Sequence, residues 1–191
     1  MSSVIDISHL FSQRSSEILV LVDLYQINAP SFLDCATPSA AKAITNCRIA
    51  LMHARAIGYP IAFVRDVNSQ LASCSRGWVG DFVPRRTDMV FERDRSSCYA
   101  SSAFDDMMRH SNKSYVLAGL GEGSCLATAV DAFHRNHTFV YLADASINPT
   151  LDDFRAVKMQ RVIARAISLF GPATSTNAWV RRTSQRAEGH A

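Results

Sequence analysis

Three short stretches of this sequence carry residues able to do chemistry, and each follows an apolar run. Asp23 closes Ile18-Leu19-Val20-Leu21-Val22. Arg93 comes just after Met89-Val90-Phe91. The pair Ser124-Cys125 ends Gly119-Leu120-Gly121-Glu122-Gly123, which itself follows Tyr115-Val116-Leu117-Ala118. An acid, a cation and a nucleophile converging in one crevice form the general plan for attack on a carbonyl. A thiol at a helix start is favoured as thiolate by the unpaired N–H groups there, which points to Cys125 rather than Ser124. Plainer readings stand beside these. Asp23 can cap a turn, and a buried cysteine is more often inert packing.

The elements that must position these groups alternate along the chain. A run of five aliphatics at 18–22 reads as a strand buried on both faces, the mark of a parallel sheet. Thr37 as N-cap and Pro38 at the first position open a helix that Gly58 stops, with Ile44, Ile49, Leu51 and Met52 as its expected buried stripe. Ile61–Val64 is the second strand. Residues 68–87 read as a long irregular connection of the kind that often carries function. Strands at 89–91, 115–118 and 139–142 then alternate with helices at 102–110, 124–136 and, capped by Asn148-Pro149, a long one to Phe170. Trp179-Val180 suggests a last strand, and the tail from Ser184 reads as frayed. This order predicts one domain over 1–191: a three-layer α/β/α, doubly wound fold with a six-stranded, mostly parallel sheet. Ligands of such sheets bind in the crevice at the carboxyl ends of the strands, where Asp23 lies.

Composition narrows the class. Apolar residues make up 48% and charged residues 19% of 191, a globular composition. The net charge of +3 is mild and its arginines are scattered, so no nucleic-acid face is expected. Apolar runs are of strand length, so no membrane span is expected either. Residues 1–20 lack a basic start leading into an apolar core, so no secretory signal is read there. Five widely spaced cysteines without a CxxC argue against disulfides and zinc, and for a cytoplasmic setting. Gly119-x-Gly121-x-Gly123 imitates a dinucleotide loop, but its third glycine falls one place early and it lies late in the chain. His134 and His137 lack carboxylate partners, and Asp66 has no histidine cluster, so no metal and no cofactor are expected.

The blocks Leu19–Leu24, Trp78 through Pro84, Asp88–Arg93 with Ser97-Cys98-Tyr99, and Ala118–Phe133 with Ala143-Asp144-Ala145 resemble, in order and spacing, the isochorismatase-like hydrolase superfamily. The resemblance covers most of 18–170. It implies a cysteine hydrolase with an Asp–Lys–Cys triad. Asp23 would take the nucleophile's proton, Cys125 or Ser124 would attack, and backbone N–H groups beside the nucleophile would hold the oxyanion. Tyr25, Trp78, Tyr99 and Gly121 are the candidate substrate contacts, with Phe82 and Phe32 as further pocket aromatics. The sequence departs from the pattern in two places. Arg93 stands where the family has lysine, and Tyr25 where it has glutamine. Counting from Gly119 puts Cys125 at the nucleophile position; counting back from Thr128-Ala129 puts Ser124 there.

Three functions follow as expectations. The leading one is hydrolysis of a small amide, ureido or related carbonyl compound through a covalent intermediate. The second is vinyl-ether hydrolysis of the isochorismatase type, with Asp23 as general acid and no thiol. The third is a binding or regulatory protein that kept the fold without the chemistry. The partner expected is a small-molecule substrate, and the assembly a homodimer or homotetramer.

Overall fold

A computed structural model of the chain describes residues 17–27, 37–67, 76–111, 114–148 and 151–188. Strand β1 (Glu17–Val22) is followed by the short β2 (Tyr25–Ile27), helix α1 (Pro38–Ala56), β3 (Ile61–Asp66), β4 (Arg76–Trp78) and β5 (Met89–Arg93). After a 3-10 turn (Cys98–Ala100) come α2 (Ser102–His110), β6 (Ser114–Gly119), α3 (Glu122–His134), β7 (Thr138–Ser146), α4 (Asp153–Ile167), β8 (Ala173–Thr174) and α5 (Thr176–Glu188). Six strands form one sheet in the order β5-β3-β1-β6-β7-β8, and every pairing in it is parallel. The fold is therefore the three-layer α/β arrangement expected, with β1 and β6 side by side at the centre.

Alternation along the strands divides the core in two. Leu19, Leu21, Phe63, Val116 and Leu142 face α1 and Trp179 of α5. Val20, Val22, Val64, Leu117 and Tyr141 face Phe104 and Met108 of α2 and Ala129 and Ala132 of α3. Residues buried on both faces require the continuous apolar runs that make these strands visible in sequence.

Five local expectations are corrected. Trp179-Val180 is helical: Thr176, Trp179 and Thr183 are buried at i, i+3 and i+7, a helical period, and the last strand is the two-residue β8 before it. Helix α5 runs on to Glu188, through the segment read as a tail. The buried stripe of α1 is largely alanine (Ala40, Ala43, Ala50 and Ala54, with Ile44, Cys47 and Leu51), and Ile49 and Met52 lie outside it, exposed. Small residues let that helix sit close on the sheet. Within 68–87, Arg76–Trp78 is a strand, pairing antiparallel with Tyr25–Ile27 in a separate two-stranded sheet. Helix α4 is capped by Asp152, whose side chain accepts from the Arg155 N–H, rather than by Asn148.

Candidate active site

Asp23 follows the carboxyl end of β1 with φ of 57°, the left-handed region that aspartate tolerates better than most residues. Its N–H donates to Val64 O at 3.0 Å, which ties the turn to β3. On the other side, Gly119 ends β6 with φ of 141° and has Val22 backbone where a Cβ would stand. Only glycine fits there. The Leu120 N–H then donates to Val22 O at 2.9 Å, so the loop into α3 crosses over the end of β1.

That crossing delivers Ser124 to Asp23. The Ser124 hydroxyl donates to Asp23 Oδ2 at 2.9 Å. Arg93, the last residue of β5, reaches both from the far side. Its Nη2 lies 2.6 Å from each Asp23 carboxylate oxygen and 2.8 Å from Ser124 Oγ. Its Nη1 donates to the Arg95 carbonyl and lies 3.8 Å from Asp66 Oδ2. Arg93 is only 2% exposed, so this cation has been taken out of water for the sake of the carboxylate. Burial raises the Asp23 pKa above the usual carboxylate value, opposed by the Arg93 charge and the hydrogen bonds from Ser124 and Arg93.

Asp23, Arg93 and Ser124 thus converge, with Gly121 packed so tightly on them that a Cβ would overlap the Asp23 carboxylate. Cys125 does not join them. Its side chain is fully buried in the α2–α3 side of the core, with Sγ 4.0 Å from Ser146 Oγ, and burial pushes its pKa well up. One residue along a helix turns the side chain by about 100°, and here that separates the crevice from the core.

The candidate substrate contacts scatter. Tyr25 and Trp78 pack edge to face at 5.0 Å across the β2–β4 pair, and the Arg65 guanidinium lies over the Tyr25 ring at 4.6 Å. Trp78 also meets Phe63, which places this cluster on the α1 side of the sheet, whereas the body of α3 packs on the other. Tyr99 is core. Its hydroxyl meets His137 Nδ1 at 2.8 Å near the amino end of β7, far along the sheet from Asp23. Phe82 is buried in the α1-side core, and Phe32 lies outside the described residues.

Helix α3 starts at Glu122, with Gly121 as N-cap, so Ser124 is its third residue. Cys125 N–H donates to Gly121 O at 2.8 Å as the first helical bond, which leaves the amides of Glu122, Gly123 and Ser124 without helical acceptors beside the hydroxyl. Thr128 Oγ donates to Ser124 O at 2.7 Å and accepts from Cys98 N–H at 3.0 Å, bracing this turn. Sequence reasoning passed over Glu122. It is buried, and burial pushes its pKa up to about 7 against the pull of the Asn148 amide. Its one visible signal is a charged residue enclosed by two glycines. Among the described residues no group of three or more His, Cys, Asp or Glu is arranged to hold a metal ion, and no helix is long and apolar enough to cross a membrane.

Residues 17–178 match the isochorismatase domain, and the chain belongs to that family, whose members are hydrolases. Among solved structures, an isochorismatase-like hydrolase from Alkaliphilus metalliredigens superposes with a TM-score of 0.71 at 15% identity, covering 90% of this chain and 93% of the other. A cysteine hydrolase from Pseudomonas syringae pv. phaseolicola gives 0.66 at 18% identity, with 89% and 93% covered. The N-carbamoylsarcosine amidase of Thermoplasma acidophilum gives 0.60 at 22%, with 84% and 96% covered. At such identities the likeness concerns the fold. No match was found among the curated proteins.

Proposed function

We propose that this protein hydrolyses a small amide, ureido or related carbonyl compound, with Ser124 as nucleophile. The observation that carries this is the Ser124 hydroxyl donating to Asp23 while one Arg93 nitrogen bridges both. Ser124 Oγ bonds to the carbonyl carbon as its proton passes to Asp23 Oδ2, and the carbonyl electron pair moves onto oxygen beside the first-turn amides of α3. Collapse breaks the carbon–nitrogen bond, and the leaving nitrogen takes the proton back from Asp23. Water then attacks the acyl-serine, giving its proton to Asp23, and Ser124 leaves with it. Arg93 cannot give up a proton, so every transfer passes through Asp23 while the guanidinium holds the carboxylate in place. The Thermoplasma amidase, which shares the fold, supports an amide-type substrate.

A second reading rests on two observations: the group facing Asp23 is a hydroxyl, not a thiol, and burial raises the Asp23 pKa. Those features suit Asp23 as general acid toward a vinyl ether, with no covalent intermediate. Ser124→Ala separates the two. Under the nucleophilic reading it abolishes turnover of an amide and ureide panel, together with any acyl adduct seen by intact mass. Turnover of a vinyl ether that survives Ser124→Ala and vanishes in Asp23→Asn would establish the second reading instead. Ser124→Cys should accelerate acylation, because a thiol ionises more readily than a hydroxyl. The exposed Phe154, Met159, Val162 and Leu169 on and after α4 favour a homodimer or homotetramer, which sedimentation at micromolar concentration would test.

A further inference from the structure

Two acidic side chains are buried among the described residues away from Asp23, and they differ in one respect. Asp105 is paired with both Arg109 and Arg135. Glu122 is 2% exposed, and among the described residues no cation meets its carboxyl and no donor lies within full hydrogen-bonding geometry of it, the pull of the Asn148 backbone amide being a weaker, longer one. Near it are the Asn148 backbone amide beyond β7 and the Tyr141 phenol of β7, whose charge and that of Glu122 would repel one another. An ionised carboxylate in such a place is costly, since one backbone amide replaces little of its hydration. The positive end of the α3 dipole favours the charge, yet burial outweighs it and the group keeps its proton up to about pH 7.

The position of this carboxyl gives the burial a consequence. Glu122 is the first residue of α3, and Ser124 is the third. Gly121, the residue before it, presses on the Asp23 carboxylate. One turn of chain therefore carries the buried acid, the Asp23 contact and the hydroxyl. The glycines on either side of Glu122, one of them with open space around it, lower the cost of rearranging that turn.

We propose that Glu122 is a positioning residue: protonated and buried, it seats the first turn of α3 so that Ser124 lies on Asp23, and ionised, it draws that turn outward and parts them. Its effect on geometry is independent of the reaction; its effect on turnover rests on the hydrolase reading above. The sign follows from the acid. The seated form predominates below the Glu122 midpoint and is lost as pH rises through it. Asp23, which must be ionised to accept a proton, sets the opposite, acidic limb.

Amide proton–nitrogen spectra of the whole protein from pH 5.5 to 8.5 test this directly. In wild type the Gly121, Gly123 and Ser124 amides should shift together with a midpoint near 7. In Glu122→Gln they should stay still. Turnover should fall about tenfold per pH unit above the midpoint in wild type and hold level in Glu122→Gln. Still amides in wild type, or a titration that persists in the variant, would overturn the proposal. An alkaline loss of turnover that is equal in both proteins would also overturn it. If Glu122→Gln does not fold, Glu122→Met, uncharged and similar in length, carries the same expectations. Amides that titrate as described in a protein without Ser124-dependent turnover would uphold Glu122 while removing the hydrolase reading.

Discussion

A single nitrogen of Arg93 touches both oxygens of Asp23 and the oxygen of Ser124, and much of the site hangs on that contact. A lysine ammonium is a point charge on a flexible stem, so it cannot meet this set and the Arg95 carbonyl from one pose. Arg93→Lys is expected to fold and to lose roughly 10- to 100-fold in turnover, measured as kcat on whichever substrate the wild type accepts. Arg93→Met is more severe. It strands a carboxylate in a dry site and should cost about 3–5 kcal/mol at neutral pH by urea denaturation. Removing the cation raises the folded-state pKa of Asp23 further above its unfolded value. The folded variant then holds a proton that the unfolded chain has released, so its deficit should shrink on going from pH 8 to pH 5. Equal deficits at both pH values would mean that Arg93 acts only through packing. Asp23 and Arg93 were legible in the sequence because each charge ends an apolar run. The choice between Ser124 and Cys125 was not legible: it depends on a one-residue register in a glycine-rich loop, and thiol acidity says nothing about which way a side chain points.

At the scale of elements, two glycines make separate demands on the crossing from β6 to α3. Gly119 has both a left-handed φ and backbone where a Cβ would go, so Gly119→Ala should cost more than about 4 kcal/mol and leave little folded protein. Gly121 is different. Its φ of −110° suits any residue, and the obstruction is the Asp23 side chain, which can turn away. Gly121→Ala should therefore keep a melting temperature within a few degrees of wild type while turnover falls at least about tenfold, because Asp23 and Ser124 no longer meet. A variant that melts early and works normally would reverse that account. Strands were the readable elements, since burial on both faces leaves unbroken aliphatic runs. Helix faces were less so: alanines make the contact face of α1, and a search for large apolar residues selects Ile49 and Met52, which are exposed. The pairing of Tyr25–Ile27 with Arg76–Trp78 joins segments about fifty residues apart, and no local pattern announces it.

Across the whole molecule, the sheet order places β1 and β6 at the centre, so the cluster of Asp23, Arg93 and Ser124 forms where the central strands end and α3 begins. The same architecture sends the three cysteines among the described residues elsewhere. Cys47 donates to the Ala145 carbonyl from α1, Cys98 opens the 3-10 turn, and Cys125 faces β7; all three are buried. Burial pushes the first two thiols up to about 12 and the third well above its ordinary value. Alkylation needs a thiolate and a path for the reagent, and the native fold supplies neither. Iodoacetamide at pH 8, followed by peptide mass mapping, should therefore leave Cys47, Cys98 and Cys125 unlabelled for as long as the protein stays folded. Their labelling should begin together as urea crosses the unfolding transition, because all three are released by the same opening of the core. A Cys125 that reacts in native buffer while Cys47 and Cys98 stay silent would mean that α3 can turn this thiol into the crevice. The nucleophile would then be the sulfur, and Ser124 its neighbour.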